Sequence, residues 1–307
     1  MESKNNLKAW LYLAPVLVLM VVFTFYPLVH TFFISFLKGY NYMTGEFTGF
    51  TLENYGKVLG ITPIMPGTNI YYKNVIEYAI PNTLIVTFVT VPISIFLALI
   101  IAVGLNSIKP LKKIFQTIFF MPYVTNSIAV GMVFAVIFAG EGGLWNAIFG
   151  LGAKNWVDMG ASRWDAMFAL CVYIVWHALP YKILIFLSGL QNIDKQYYDA
   201  AKIDATTKWN VFAKITVPLL SPQILYVMIT SFIGGFKEYS AVVGLIGKPS
   251  TGSIATPNMY TVVYFIYDQL ARPTSTALAA ATAVILFIFI MIFTVIQMKV
   301  SSKRVHY

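Results

Sequence analysis

Six apolar runs, at about residues 9–37, 81–105, 114–139, 166–190, 218–245 and 276–299, decide what this chain can fold into. A helix of about 20 apolar residues crosses the hydrocarbon layer of a bilayer, and each run reaches that length. Composition agrees: hydrophobic residues make up 58% of the chain, charged residues 11%, and the mean hydropathy is +0.74, outside the soluble range. The chain reads as an all-α polytopic membrane protein of six transmembrane helices, a single domain over 1–307 with lipid around it. The first run is too long for the apolar stretch of a secretory leader and has no small-x-small cleavage site after it, so it is expected to stay as a helix.

Lysine and arginine in the connections orient the spans. One side carries twelve bases, among them Lys8, Lys109, Lys195, Lys202, Lys214, Lys303 and Arg304, against four acids. The other carries seven of each. The basic side is expected to be cytoplasmic, with both termini on it, and most of the formal charge of +9 lies there. Charge divided by membrane side explains the basic balance without nucleic acid as a partner.

Catalytic patterns are missing from the sequence. His30, His177 and His306 are scattered, and no paired-carboxylate or metal-ligand spacing occurs. Cys171 is the one cysteine, set among apolar residues, so a disulfide framework or thiolate metal site is not available. Gly247-Lys248 looks like the end of a phosphate-binding loop, but that loop needs a glycine where Val242 stands and Ser or Thr where Pro249 stands. No enzyme activity, cofactor or metal is expected in this chain, and any nucleotide chemistry belongs to another polypeptide.

The most ordered polar segment lies between the fourth and fifth runs. Residues 191–217 form a loop on the basic side, and YYDAAKIDATTKWNVFAKITVPLLSP from Tyr197 to Pro222 has the grammar of a helix, a turn and a second helix ended by proline. Asp199-Ala200-Ala201, Ala205, Ile215 and Val217-Pro218 resemble the E-A-A-x-x-x-G-x(9)-I-x-L-P signature of ATP-binding-cassette importer permeases. Aspartate, alanine and valine stand where that signature has glutamate, glycine and leucine. Tyr26-Pro27, Glu53-Asn54-Tyr55, Asn82-Thr83, Met121-Pro122-Tyr123 and Pro180-Tyr181 extend the likeness over most of the chain, closest to the carbohydrate-uptake branch of maltose type.

The resemblance implies a type I importer permease in a bacterial inner or plasma membrane. Its partners would be a second homologous permease, two cytosolic ATPase subunits that carry ATP and Mg, and an extracytoplasmic solute-binding protein. It also implies that the loop is a coupling helix, with Asp199, Ala200, Ala201, Asp204 and Ala205 facing the ATPase. Trp209, Phe212 and Ile215, spaced by three, are expected to pin the following helix to the membrane body. An ion-coupled secondary transporter using His177, Lys182, Lys237 and Glu238 is the alternative.

Polar side chains inside spans are costly and tend to face a cavity. Three pairs at i, i+4 are expected to share a helix face: Tyr123 with Ser127, His177 with Tyr181, and Phe236 with Ser240. Lys237 sits beside the last pair. These seven are the candidate substrate pathway; in such permease pairs either subunit can line it. At about 1.5 Å per residue, Lys237 and Tyr181 reach one depth only if the fifth span starts late or bends, at Pro222 or Gly234-Gly235.

Overall fold

The computed structural model describes residues 3–64, 74–108, 112–157, 160–247 and 257–301. Lys109, Lys248, Pro249, Lys303, Arg304 and His306, considered above, lie outside them. In chain order the helices and strands are α1 (Ser3–Met20), α2 (Tyr26–Ser35), β1 (Leu37–Lys38), β2 (Gly49–Phe50), α3 (Glu53–Val58), α4 (Ile80–Ser107), α5 (Lys112–Val124), α6 (Ser127–Ile137) and α7 (Leu144–Phe149). They continue as α8 (Arg163–Gln191), α9 (Lys195–Ile203), α10 (Lys208–Val211), α11 (Val217–Leu219), α12 (Ser221–Phe236), α13 (Ser240–Ile246), α14 (Val262–Leu270) and α15 (Thr276–Ser301).

Four helical stretches are individually long and apolar enough to span a membrane: Lys8–Ser35, Val75–Ser107, Arg163–Gln191 and Pro273–Ser301. Two bent pairs raise the number to six if each is one span. Ile114–Val124 meets Ser127–Ile137 at 98°, and Lys208–Leu219 meets Ser221–Phe236 at 68°. The third apolar run, read above as a single rod, is therefore broken, and the fifth bends beside Pro222, one of the two places expected for it. Proline and capping chemistry account for both breaks. Pro122 sits inside α5, and the Asn126 side chain accepts from the backbone N–H groups of Ile128 and Ala129, starting α6 in a new direction. Pro218 and Pro222 flank the Leu220 bend.

The chain groups into two compact units, residues 1–72 with 266–287, and 73–265 with 288–307. In the first, Ile34, Leu37, Ala277 and Ala280 form a core with Tyr40 against it. Asn54, foreseen only as part of a family likeness, donates to the Ser35 and Leu37 carbonyls at 3.0 and 2.9 Å, joining the end of α2 to α3.

In the second unit α4 packs along α8 through Ala98, Leu99, Ala102, Ile183, Phe186 and Leu187. The polar residues of α4 fall on one face. Thr87, Thr90 and Ser94 donate to the carbonyls of Thr83, Val86 and Thr90, so each hydroxyl is satisfied inside its own helix, as burial away from water requires. Asn82 ties the start of this helix to a distant segment, donating to the carbonyls of Asn258 and Tyr260 while accepting from the Arg163 guanidinium at 2.9 Å. α6 and α13 touch backbone to backbone. A Cβ on Gly131 would stand 2.6 Å from Cα of Gly244, and only glycine at both positions permits that approach.

Candidate functional site

A cavity of about 510 Å³ opens within the second unit between α4, α5, α8 and α12. That is within the range of small-ligand sites, roughly 300–1,000 Å³. Tyr123 from α5 and Tyr181 from α8 stand as nearly parallel plates in its wall, ring centroids 5.8 Å apart and planes 20° apart. The Tyr181 hydroxyl is hydrogen-bonded to that of Tyr226 on α12 at 3.0 Å. Aromatic faces beside hydroxyls suit a polyhydroxylated solute, whose C–H faces stack while its hydroxyls find partners. Thr230 and Ser231 on α12 add further hydroxyls.

His177 lines the same cavity from α8, and its Nε2 is buried with no hydrogen-bond partner. Lys182 is only 5% exposed, and its ammonium donates to Oγ of Ser94 on α4. Glu238 follows the C-terminus of α12, where its carboxylate accepts from the backbone N–H of Ala241 at 2.9 Å. One cavity thus takes in both Tyr181 and Glu238, with α12 starting only after the bend at Leu220.

Of the seven pathway candidates, Tyr123, His177 and Tyr181 come together here. The other four are differently placed. Ser127 opens α6 beyond the 98° bend, so it does not share a face with Tyr123, and it locks α6 to α8 by a 3.1 Å bond with the Tyr173 hydroxyl. Phe236 is 1% exposed and packs among Phe88, Phe289 and Phe293 with centroids 5.1–6.1 Å apart, an aromatic core rather than a lining. Lys237 is the exposed C-cap of α12, and Ser240 begins α13, so the expected Phe236–Ser240 face spans a helix break. Reading i, i+4 pairs across unrecognised breaks produced these misplacements. Thr90, Ser94 and Thr230 were missed, though for the first two the hydroxyl periodicity of the second run was there to be read.

The loop after α8 is the second candidate site. Asp194 caps α9 by accepting from the N–H of Gln196 at 3.0 Å. The helix ends in a six-residue closure: Thr206 N–H donates to the Ala201 carbonyl at 3.0 Å and Ala205 N–H to that of Lys202 at 3.1 Å. This is a Schellman stop, with Ala205 at the position that must be left-handed. Its φ is +47°, the sole positive value at a non-glycine among the described residues. The alanine standing in for the signature glycine therefore marks where the chain must turn.

Asp199, Ala200, Asp204 and Ala205 are exposed, while Ala201 is turned inward and buried. A Tyr198–Thr216 hydroxyl contact at 3.3 Å holds α9 to the segment before α11, and Phe212 packs on the Ile183–Leu220 core. Trp209, expected to pin this segment, is instead 72% exposed, with Ile203 at 86% and Tyr197 at 54%. Three large apolar side chains thus project from a polar loop. Lys202 donates a 2.7 Å hydrogen bond to Asp199 and holds its carboxyl below the ordinary carboxylate range.

Bent apolar helices joined by a proline-ended helix-turn-helix loop define a polytopic membrane protein, and comparison with known proteins identifies its class. Residues 91–307 match the family described as binding-protein-dependent transport system inner membrane component. The chain belongs to that family and is a multi-pass inner-membrane permease. It is similar to the arabinooligosaccharides transport system permease protein AraP of Bacillus subtilis (strain 168), 31% identical over 299 residues, covering 96% of this chain and 88% of the relative. The lactose transport system permease protein LacF of Rhizobium radiobacter is 29% identical over 314 residues, with 98% of each chain covered. Among solved structures, a chain of a bacterial ABC transporter that imports the acidic polysaccharide alginate has the same fold, with a TM-score of 0.79 at 15% identity over 98% of this chain and 96% of that one.

Proposed function

We propose that this chain is a membrane subunit of an ATP-driven, binding-protein-dependent importer of sugars or oligosaccharides. It works with a second permease, two cytosolic ATPase subunits and an extracytoplasmic binding protein. The observation that carries the reading is the loop from α9 to α11. It is closed by a left-handed residue at the signature glycine position, clamped to the membrane body through Tyr198 and Phe212, and studded with exposed Ile203 and Trp209.

Apolar side chains held out from a rigid polar loop are binding anchors. An ATPase that grips Ile203 and Trp209 pulls on a short helix whose inner contacts lead directly to α8 and α12, so its closure moves the walls of the cavity. The sugar class rests on the tyrosine plates and hydroxyls of that cavity and on the names of the oligosaccharide and lactose permeases it is similar to.

The test is ATP hydrolysis by the reconstituted complex with sugar-loaded binding protein. Ile203→Asp is expected to reduce stimulated hydrolysis at least about tenfold, the loss of a buried apolar anchor, while the isolated ATPase subunits stay active. Full stimulation in this variant would sink the docking assignment.

A further inference from the structure

The second unit contains a buried cation with no ion-pair partner among the described residues. Lys182 lies in α8, 5% exposed, facing Ser94 of α4 across the end of the cavity. Its ammonium has three N–H donors. One is used on Ser94 Oγ, which is itself committed to the Thr90 carbonyl. No carboxylate lies within the 4.0 Å of an ion pair with Lys182 among the described residues.

Glu238 lines the same cavity, but its carboxylate accepts from the backbone N–H of Ala241 and lies beyond ion-pair distance of Lys182. Burying an ammonium with one neutral partner costs stability, and an apolar side chain of similar volume would be at least as stable there. A short way along α8, His177 Nε2 is also buried and unpartnered in the cavity wall. Both groups sit where an entering solute would meet them, and both can act as donors.

We propose that the solute carries an anionic group, and that Lys182 is the residue that recognises it. The inference rests on the sugar-import reading and narrows it from sugars in general to acidic ones: uronate-containing oligosaccharides or sugar phosphates. Glu238 orients such a solute by repulsion, so its charged end lies at Lys182 and Ser94 and a neutral ring lies against Tyr123 and Tyr181. A bound carboxylate or phosphate takes the spare Lys182 donors as charge-assisted hydrogen bonds, the stronger kind. Before binding, the same ammonium disfavours a neutral ligand that cannot meet its charge, which gives selection as well as affinity.

The experiment compares import by the complete complex, with its binding protein, of trigalacturonate, its neutral methyl ester and a hexose 6-phosphate, in the wild type, Lys182→Met and Lys182→Arg. The wild type is expected to import one of the two acidic solutes at least about tenfold faster than the ester, the fold expected for a charged hydrogen bond. Whichever acid is preferred identifies the anion as carboxylate or phosphate. Lys182→Met is expected to collapse that ratio to near one and Lys182→Arg to retain most of it. A methionine variant that keeps the ratio, or a wild type that imports the ester as fast as the acids, overturns the proposal while leaving sugar import standing. Failure of all three solutes overturns the proposal alone where the ATPase of the complex responds to a neutral oligosaccharide, and the sugar reading with it where that ATPase responds only to a non-carbohydrate. Assembly of the methionine variant is verified by co-purification of the ATPase subunits.

Discussion

Replacing Ala205 by glycine should strengthen the turn that ends α9. Ala205 has φ of +47°, and the amides of Asp204, Ala205 and Thr206 donate to the carbonyls of Ala200, Lys202 and Ala201. An L-residue in the left-handed region costs about 1–2 kcal/mol relative to the right-handed one. Glycine escapes that cost but returns about 0.5–1 kcal/mol through the greater freedom of its unfolded chain. The balance favours glycine by about 0.5–1 kcal/mol, a factor of about two to five in the local opening equilibrium.

Hydrogen exchange of those three amides reads this directly, since exchange from a locally opened turn follows the opening equilibrium. In Ala205→Gly they should exchange about two to five times more slowly, with amides in the middle of α8 unchanged. Ala205→Val, β-branched and poorly tolerated at positive φ, should speed them at least about fivefold. Faster exchange in the glycine variant, or no change in the valine one, would refute the account of the alanine as a strained helix stop. Because glycine adds no bulk, this result is independent of whether Ala205 also touches an ATPase.

Phe236→Ala should cost about 3 kcal/mol or more in thermal unfolding in detergent, since it removes a fully buried ring from the Phe88–Phe289–Phe293 cluster; a lost solute preference with unchanged stability would return Phe236 to the pathway. Gly131→Ala should destabilise by about 1–3 kcal/mol, because the new Cβ meets the Gly244 backbone at 2.6 Å, and protease cleavage between α6 and α7 is the sensitive readout. Lys202 lowers the Asp199 pKa, so any stability this exposed pair contributes is present above the ordinary carboxylate range and lost only as pH falls through the lower folded value. Coupled ATP hydrolysis in Asp199→Asn should therefore differ from wild type by the same ratio at pH 6 and pH 8. A ratio that changes between them would place a different titrating group at the contact.

How far the sequence reaches is clearest in three places. The loop at Asp199–Pro218 was legible because its constraints are local: small residues on a short helix, a special residue at 205 and proline beyond. The apolar runs were equally legible, since bilayer thickness sets their length and every backbone group must be satisfied within the helix. The pathway was only partly so. His177 and Tyr181, one turn apart on an unbroken helix, share the cavity as periodicity requires, whereas Ser127 and Ser240 lie past breaks that periodicity does not register.

Sequence alone thus determined that the chain crosses a membrane as helices and contains a helix-turn-helix loop between its fourth and fifth runs, because length, hydropathy and helix-breaking residues act over a few positions. Tertiary structure decided which polar side chains meet. Ser94 and Lys182 are 88 residues apart in sequence and hydrogen-bonded in space, Phe236 turns from a cavity wall into an aromatic core, and Ala201 turns inward while Trp209 turns out. Those outcomes depend on how helices are rotated and bent against one another, and that rotation is fixed by long-range packing such as the Gly131–Gly244 contact, for which one-dimensional periodicity has no counterpart.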